Sequence, residues 1–273
     1  MRSSIYKNFQ YIAIYCGIAF GTSWIIWIPL VFGKTGLGLL GIKPSLAVFA
    51  SAGTLGPLIA AYITHRLETG NWRAVRFLPK TRRRLLWLFL GPALVLICWF
   101  VIFPALLSSG PPSAWHWHPR VLVAMIPTMF GYNLFGGPLF EEFGWRGFLQ
   151  VRLQGIMPAW IAAIATGVIW SAWHLPLFLV HGWTNATFPD FLLILVGLST
   201  VMAFAFNASE KLVIVAILMH SAFNGSPRFV GKFLDGTATR QSPPDVVLVG
   251  LAFVLTGLLL VILTRGRLAA MKR

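Results

Sequence analysis

Eight stretches of this chain are apolar over lengths that approach or reach a bilayer crossing, and that property limits the fold more than any other. They cover residues 9–32, 45–64, 85–107, 121–140, 158–180, 191–206, 212–223 and 246–263. The expected architecture is therefore all-α, a polytopic membrane bundle of about eight transmembrane helices. The composition agrees: 57% of residues are hydrophobic and 11% charged, against about 25% charged in a soluble domain. No internal repeat or low-complexity segment marks a boundary, so residues 1–273 read as a single membrane-embedded domain.

The net charge of +15 would point to nucleic acid in a soluble chain, but no recognition motif accompanies it here. Loop topology explains it instead. With both termini in the cytoplasm, the inner segments hold 16 of the 22 cations, and the outer ones keep Lys34, Lys43, Arg120, Arg228, Lys232 and Arg240. The basic connection 66–84 is expected to lie against anionic headgroups. The localisation that follows is an integral multi-pass protein of the plasma (inner) membrane, with membrane lipids as partners and no nucleic acid. The segment 1–32 is too long for a signal-peptide core and reads as the first span. Cys16 and Cys98 are lone cysteines in apolar runs, which gives neither a disulfide framework nor a zinc ribbon.

Only seven residues are acidic. Glu68, Asp190, Glu210, Asp235 and Asp245 fall in connections or at segment ends, whereas Glu141 and Glu142 directly follow the run 121–140. Ionisable groups at membrane depth are costly and are functional by default. At about 100° per residue, Glu142 and Arg146 share a helix face in the favourable acid-first order. Glu141 points elsewhere and must find its partners on other segments. Glu141 is thus expected to be the reactive group, with Glu142 and Arg146 supporting it.

Two further constellations carry chemistry. His174 closes Trp170-Ser171-Ala172-Trp173-His174, and His220 and Asn224 lie four residues apart on one face. A carboxylate and an imidazole can activate a water, while a second imidazole and an amide can donate to an oxyanion. That set would hydrolyse a peptide bond without a covalent intermediate. Ser171 and Ser221 lack the sequence context of a serine nucleophile. Zinc is the rival reading, with Glu141, His174 and His220 as ligands and one position open for water. Against it, the chain has no H-E-x-x-H to place two ligands on one face. A proton-coupled transporter, with the same three residues as a relay, is an alternative from a different class. A non-catalytic immunity or assembly factor is another.

The motifs Glu141-Glu142-Phe143-Gly144-Trp145-Arg146, Trp170-Ser171-Ala172-Trp173-His174 and His220-Ser221-Ala222-Phe223-Asn224 resemble the E-E-x-x-x-R, F-x-x-x-H and H-x-x-x-N of the CPBP family. These are the type II CAAX prenyl proteases and the Abi, bacteriocin-processing membrane proteases. Thr54-Leu55-Gly56-Pro57 is similar to the family's Gly-Pro helix. The resemblance spans 136–225, inside a core of about 121–230, and departs from the pattern at Trp170, where phenylalanine is usual. It implies an intramembrane endopeptidase acting on membrane-associated or lipidated peptides. Glu141 and His174 would activate water, and His220 and Asn224 would hold the oxyanion. The family is often labelled metalloprotease, although a metal-free glutamate mechanism has also been proposed for it.

The spans as drawn conflict with this reading. At about 1.5 Å per residue, His174 stands roughly 24 Å and His220 roughly 12 Å above the inner ends of their helices, while Glu141 lies near the inner surface. A break at Gly136-Gly137-Pro138 that starts a second half-helix deeper in the bilayer would reconcile them. The cavity is expected to open toward the cytoplasm.

Overall fold

The computed structural model describes residues 2–71, 82–107, 119–234 and 245–269, and all of the regular structure among them is helical. Among the described residues, five helices are long and apolar enough to cross a membrane: Tyr6–Phe32, Leu46–Thr69, Trp87–Ala105, Phe188–Ala208 and Val246–Leu263. Three shorter apolar helices, Val123–Phe135, Ala159–Trp173 and Val213–Gly225, bring the apolar segments to the expected eight. Most of the basic connection, His116, His118, Asp235 and Arg240 lie outside the described residues.

Four of the five acids set apart from the motif have structural duties. Asp245 Oδ1 accepts from the N–H groups of Val247 (3.0 Å) and Leu248 (3.1 Å), capping the last helix. Thr187 and Asp190 form a capping box at the start of Phe188–Ala208. This box explains why that helix starts at Phe188 and not at 191: Pro189 and Asp190 lower the hydropathy of its first turn. Glu68 pairs with Arg152, and Glu210 with Arg84.

These pairs also define one end of the bundle. Gly155 lies against Asn8 near the start of the first helix, and Gly266, past the last helix, lies against Trp160. Lys211 and Arg267 border one cleft with Gln154. The first helix therefore begins, and the last one ends, at the same cationic end. At the opposite end the His181 N–H donates to the Thr35 carbonyl (2.7 Å), and the Trp24 indole to the Trp173 carbonyl (2.9 Å).

With lipid outside, helices associate through close packing rather than hydrophobic exclusion, and small residues permit it. A Cβ on Gly167 would stand 2.7 Å from the Cα of Val196, so Ala159–Trp173 meets Phe188–Ala208 nearly backbone to backbone. The Gly56-Pro57 segment is used similarly. A Cβ at Gly56 would strike Ser23 of the first helix, and the Pro57 carbonyl lies 2.7 Å from where a Cβ of Gly144 would be. The second crossing is thereby held against both the first helix and the motif helix.

A carboxylate clamped by tryptophans in a mid-bundle cavity

The Gly136-Gly137-Pro138 break is present and, as expected, starts a second helical segment. Gly137 adopts φ 155°, and its carbonyl accepts from Phe140 and Glu141 (both 2.9 Å), so a new helix starts at Pro138. That helix continues through a π-helical segment, Trp145–Gln150, to Leu153. The fourth crossing therefore ends near 153, not 140. Glu141 then lies 11 residues before Arg152, roughly 16 Å above the cationic end at 1.5 Å per residue. The conflict in depth disappears because the motif occupies the middle of a crossing. Arg146, counted above as an inner-surface cation, is fully buried there instead.

His174 follows the last residue of Ala159–Trp173 because Pro176 cannot supply the N–H that another helical turn needs. The chain continues as the 3-10 turn Leu175–Leu179. Asn224 sits in the last turn of Val213–Gly225, whose C-cap is Ser226, so Asn224 does not serve as the helix terminator. Glu141, His174, His220 and Asn224 all line one cavity of about 200 Å³, together with Trp27, Thr54, Trp170, Trp173, Trp183 and Phe191. The carboxyl and both imidazoles predicted from sequence are thus brought together. Ser171, whose hydroxyl donates to the Gly167 carbonyl at 2.8 Å, and Ser221 do not line this cavity.

The two glutamates have different environments. Glu142 is fully buried and accepts from Arg146 Nη1 at 2.8 and 2.9 Å, the expected i,i+4 pair. It also accepts from His220 Nδ1 at 2.9 Å, a bond across 78 positions of sequence. Glu142 therefore anchors the His220 ring as well as Arg146, a link that helical spacing could not reveal. Glu141 is 5% exposed, and its Oε2 accepts from the indole N–H groups of Trp170 (2.8 Å) and Trp145 (3.3 Å). Its other oxygen, Oε1, lies toward Gly137, where a Cβ would approach to 2.6 Å.

Trp170, which the sequence marked only as a departure from the family pattern, is the hub of the site. Its N–H holds Glu141, and its carbonyl meets His174 Nδ1 at 2.9 Å. Its ring faces the Arg146 guanidinium at 4.5 Å and meets the His220 ring edge-on at 4.9 Å. A carbonyl only accepts, so His174 Nδ1 carries the proton of that bond. In a neutral ring Nε2 is then left as an acceptor. Trp145 had a readable signal, because it is four residues after Glu141 and so on its face. Trp170 likewise stands four residues before His174.

Among the described residues, no three of His, Cys, Asp and Glu come together as a ready-made group for a metal ion. Glu141 Oε2 is engaged by two N–H donors, and both Nδ1 atoms are committed to Trp170 and Glu142. Zinc would have to be held by Glu141 Oε1 and the Nε2 atoms of His174 and His220, the ring nitrogens that such bonded histidines offer a metal.

From Glu141 and His220 at mid-depth the lining of the cavity continues to Trp27, Ala50 and Trp183, away from the end where Lys211, Arg152 and Arg267 lie.

Fold and site together define a polytopic helical membrane protein with a buried glutamate, two histidines and an asparagine around one internal cavity. Residues 123–226 match a family model described as type II CAAX prenyl endopeptidase Rce1-like. A CAAX prenyl protease 2 from Methanococcus maripaludis is 29% identical over 110 residues. The match takes in 36% of this chain and 39% of that protein's length.

Proposed function

We propose that this protein is an intramembrane endopeptidase that hydrolyses peptide bonds of membrane-associated or lipidated peptides and proteins. The observation that carries the reading is a carboxylate oriented by two indole N–H groups on the wall of a cavity shared with His174, His220 and Asn224. Peptidase membership of the matched family supports it.

In this mechanism a water enters beside Glu141 and His174. As its oxygen adds to the scissile carbonyl carbon, its proton passes to the carboxylate or to His174 Nε2. The developing oxyanion accepts from the Asn224 amide and from His220. With Nδ1–H donating to Glu142, the ring of His220 can reach the oxyanion only through a protonated Nε2. Breaking the C–N bond returns the proton to the leaving amine, and the products are a carboxylic acid and an amine. Glu142 and Arg146 hold the His220 ring in place.

The test is Glu141→Gln, which keeps the size of the side chain and removes the base. Purified variant protein should retain its fold in detergent and lose cleavage of a peptide library that the parent cuts. Retained turnover would remove Glu141 from the mechanism.

A further inference from the structure

The two ends of the bundle differ in charge, and the cavity belongs to one of them. Lys7, Arg66, Arg84, Arg152, Lys211 and Arg267 lie at the end where the first helix begins. Among the described side chains the opposite end carries Lys34, Lys43 and Arg228, and the Thr35–His181 backbone bond joins two connections there. Trp27 on the cavity wall is 20 residues beyond Lys7, roughly 30 Å of helix. His220 is nine residues beyond Lys211, roughly 14 Å. The reactive groups therefore lie at mid-depth, and every lining residue beyond them, Trp27, Ala50, Trp183 and Phe191, leads toward the less basic end.

In multi-pass proteins, the end richer in Lys and Arg beside the spans stays in the cytoplasm. Arg146, buried between Glu142 and Trp170, takes no part in that comparison. Removing it from the inner side leaves the asymmetry intact.

We infer that the cavity opens to the extracytoplasmic face, and that its substrate is a peptide segment presented from that side. The orientation rests on charge and topology alone, whereas the substrate statement rests on the endopeptidase reading above. The chemistry implied is that of a translocated or outward-facing membrane-proximal segment, not of a lipidated C-terminus displayed in the cytoplasm. Both termini, on this inference, are cytoplasmic.

Cysteine accessibility tests it. In a background with Cys16 and Cys98 replaced by alanine, Asn185→Cys marks the turn after Trp183, and Thr69→Cys marks the cationic end; both positions are exposed. A membrane-impermeant maleimide should label Asn185→Cys in intact cells and Thr69→Cys only after permeabilisation. The reverse pattern would overturn the orientation. In proteoliposomes of mixed orientation, hydrolysis of an impermeant reporter peptide added outside should scale with the fraction of Asn185→Cys labelled from outside. Scaling with Thr69→Cys would overturn the substrate statement. Detergent-solubilised protein that cuts nothing would instead refute the endopeptidase reading, and the labelling result would still decide the orientation.

Discussion

Trp170→Phe isolates a single hydrogen bond within the site. Phenylalanine keeps an aromatic face for Arg146 and a ring beside His220, and the backbone carbonyl that meets His174 is untouched. What disappears is the 2.8 Å indole N–H on Glu141 Oε2, which leaves only the longer 3.3 Å contact from Trp145. Hydrogen bonds to charged groups contribute about 1.5–3 kcal/mol, and each 1.36 kcal/mol of barrier is about tenfold in rate. If the bond serves to hold the base in line with the attacking water, kcat on a reporter peptide should fall by roughly ten- to a hundredfold with KM unchanged. In a Glu141→Gln background the same substitution should cost nothing further, since the oriented base is already gone. A thermal unfolding midpoint close to that of the parent would separate this effect from simple loss of packing. Undiminished kcat in Trp170→Phe would refute the argument, and would mean that the phenylalanine usual in the family pattern orients the carboxylate equally well in this chain.

Three other outcomes follow from the geometry. Asn224→Ala should lower kcat by on the order of a hundredfold if the amide is an oxyanion donor, and an effect confined to KM would place it in substrate binding instead. Arg146→Ala removes one of the two partners of a fully buried carboxylate and leaves it only His220, so it should cost about 3–5 kcal/mol of stability, read as a lower unfolding temperature in detergent; an unchanged midpoint would refute the buried pair. Gly137→Ala puts a methyl group 2.6 Å from Glu141 Oε1, at a backbone φ of 155°. It should abolish turnover in protein that still inserts, and full activity would show that the carboxylate can swing clear.

Sequence made the spans and the motif pairing readable because both depend on local periodicity. The last helix, Val246–Leu263, begins and ends where its hydropathy does, and Arg146 pairs with Glu142 as i,i+4 spacing demands. Depth was not readable, because the fourth crossing is interrupted at Gly137 and continues through a π segment whose polar residues, Arg146 and Gln150, resemble those of a loop. Those residues are buried, which hydropathy averaged over one segment cannot register. The same error counted Arg146 among the surface charges. The links through Trp170 to Glu141 and from Glu142 to His220 cross 29 and 78 positions, and only tertiary packing sets such contacts.

The recess of the carboxylate carries its own consequence. Glu141 is almost wholly buried, behind Trp27, Trp170, Trp173 and Trp183, whereas the carbonyls of an α-helix are engaged in i→i−4 bonds within a cylinder about 10 Å across. On the endopeptidase reading, a coiled segment of a target protein would have to unravel before its amide reaches the carboxylate. Chains weakened by glycine or proline, or already frayed near a terminus, would be selected over firmly wound ones, whatever residues flank the bond that breaks.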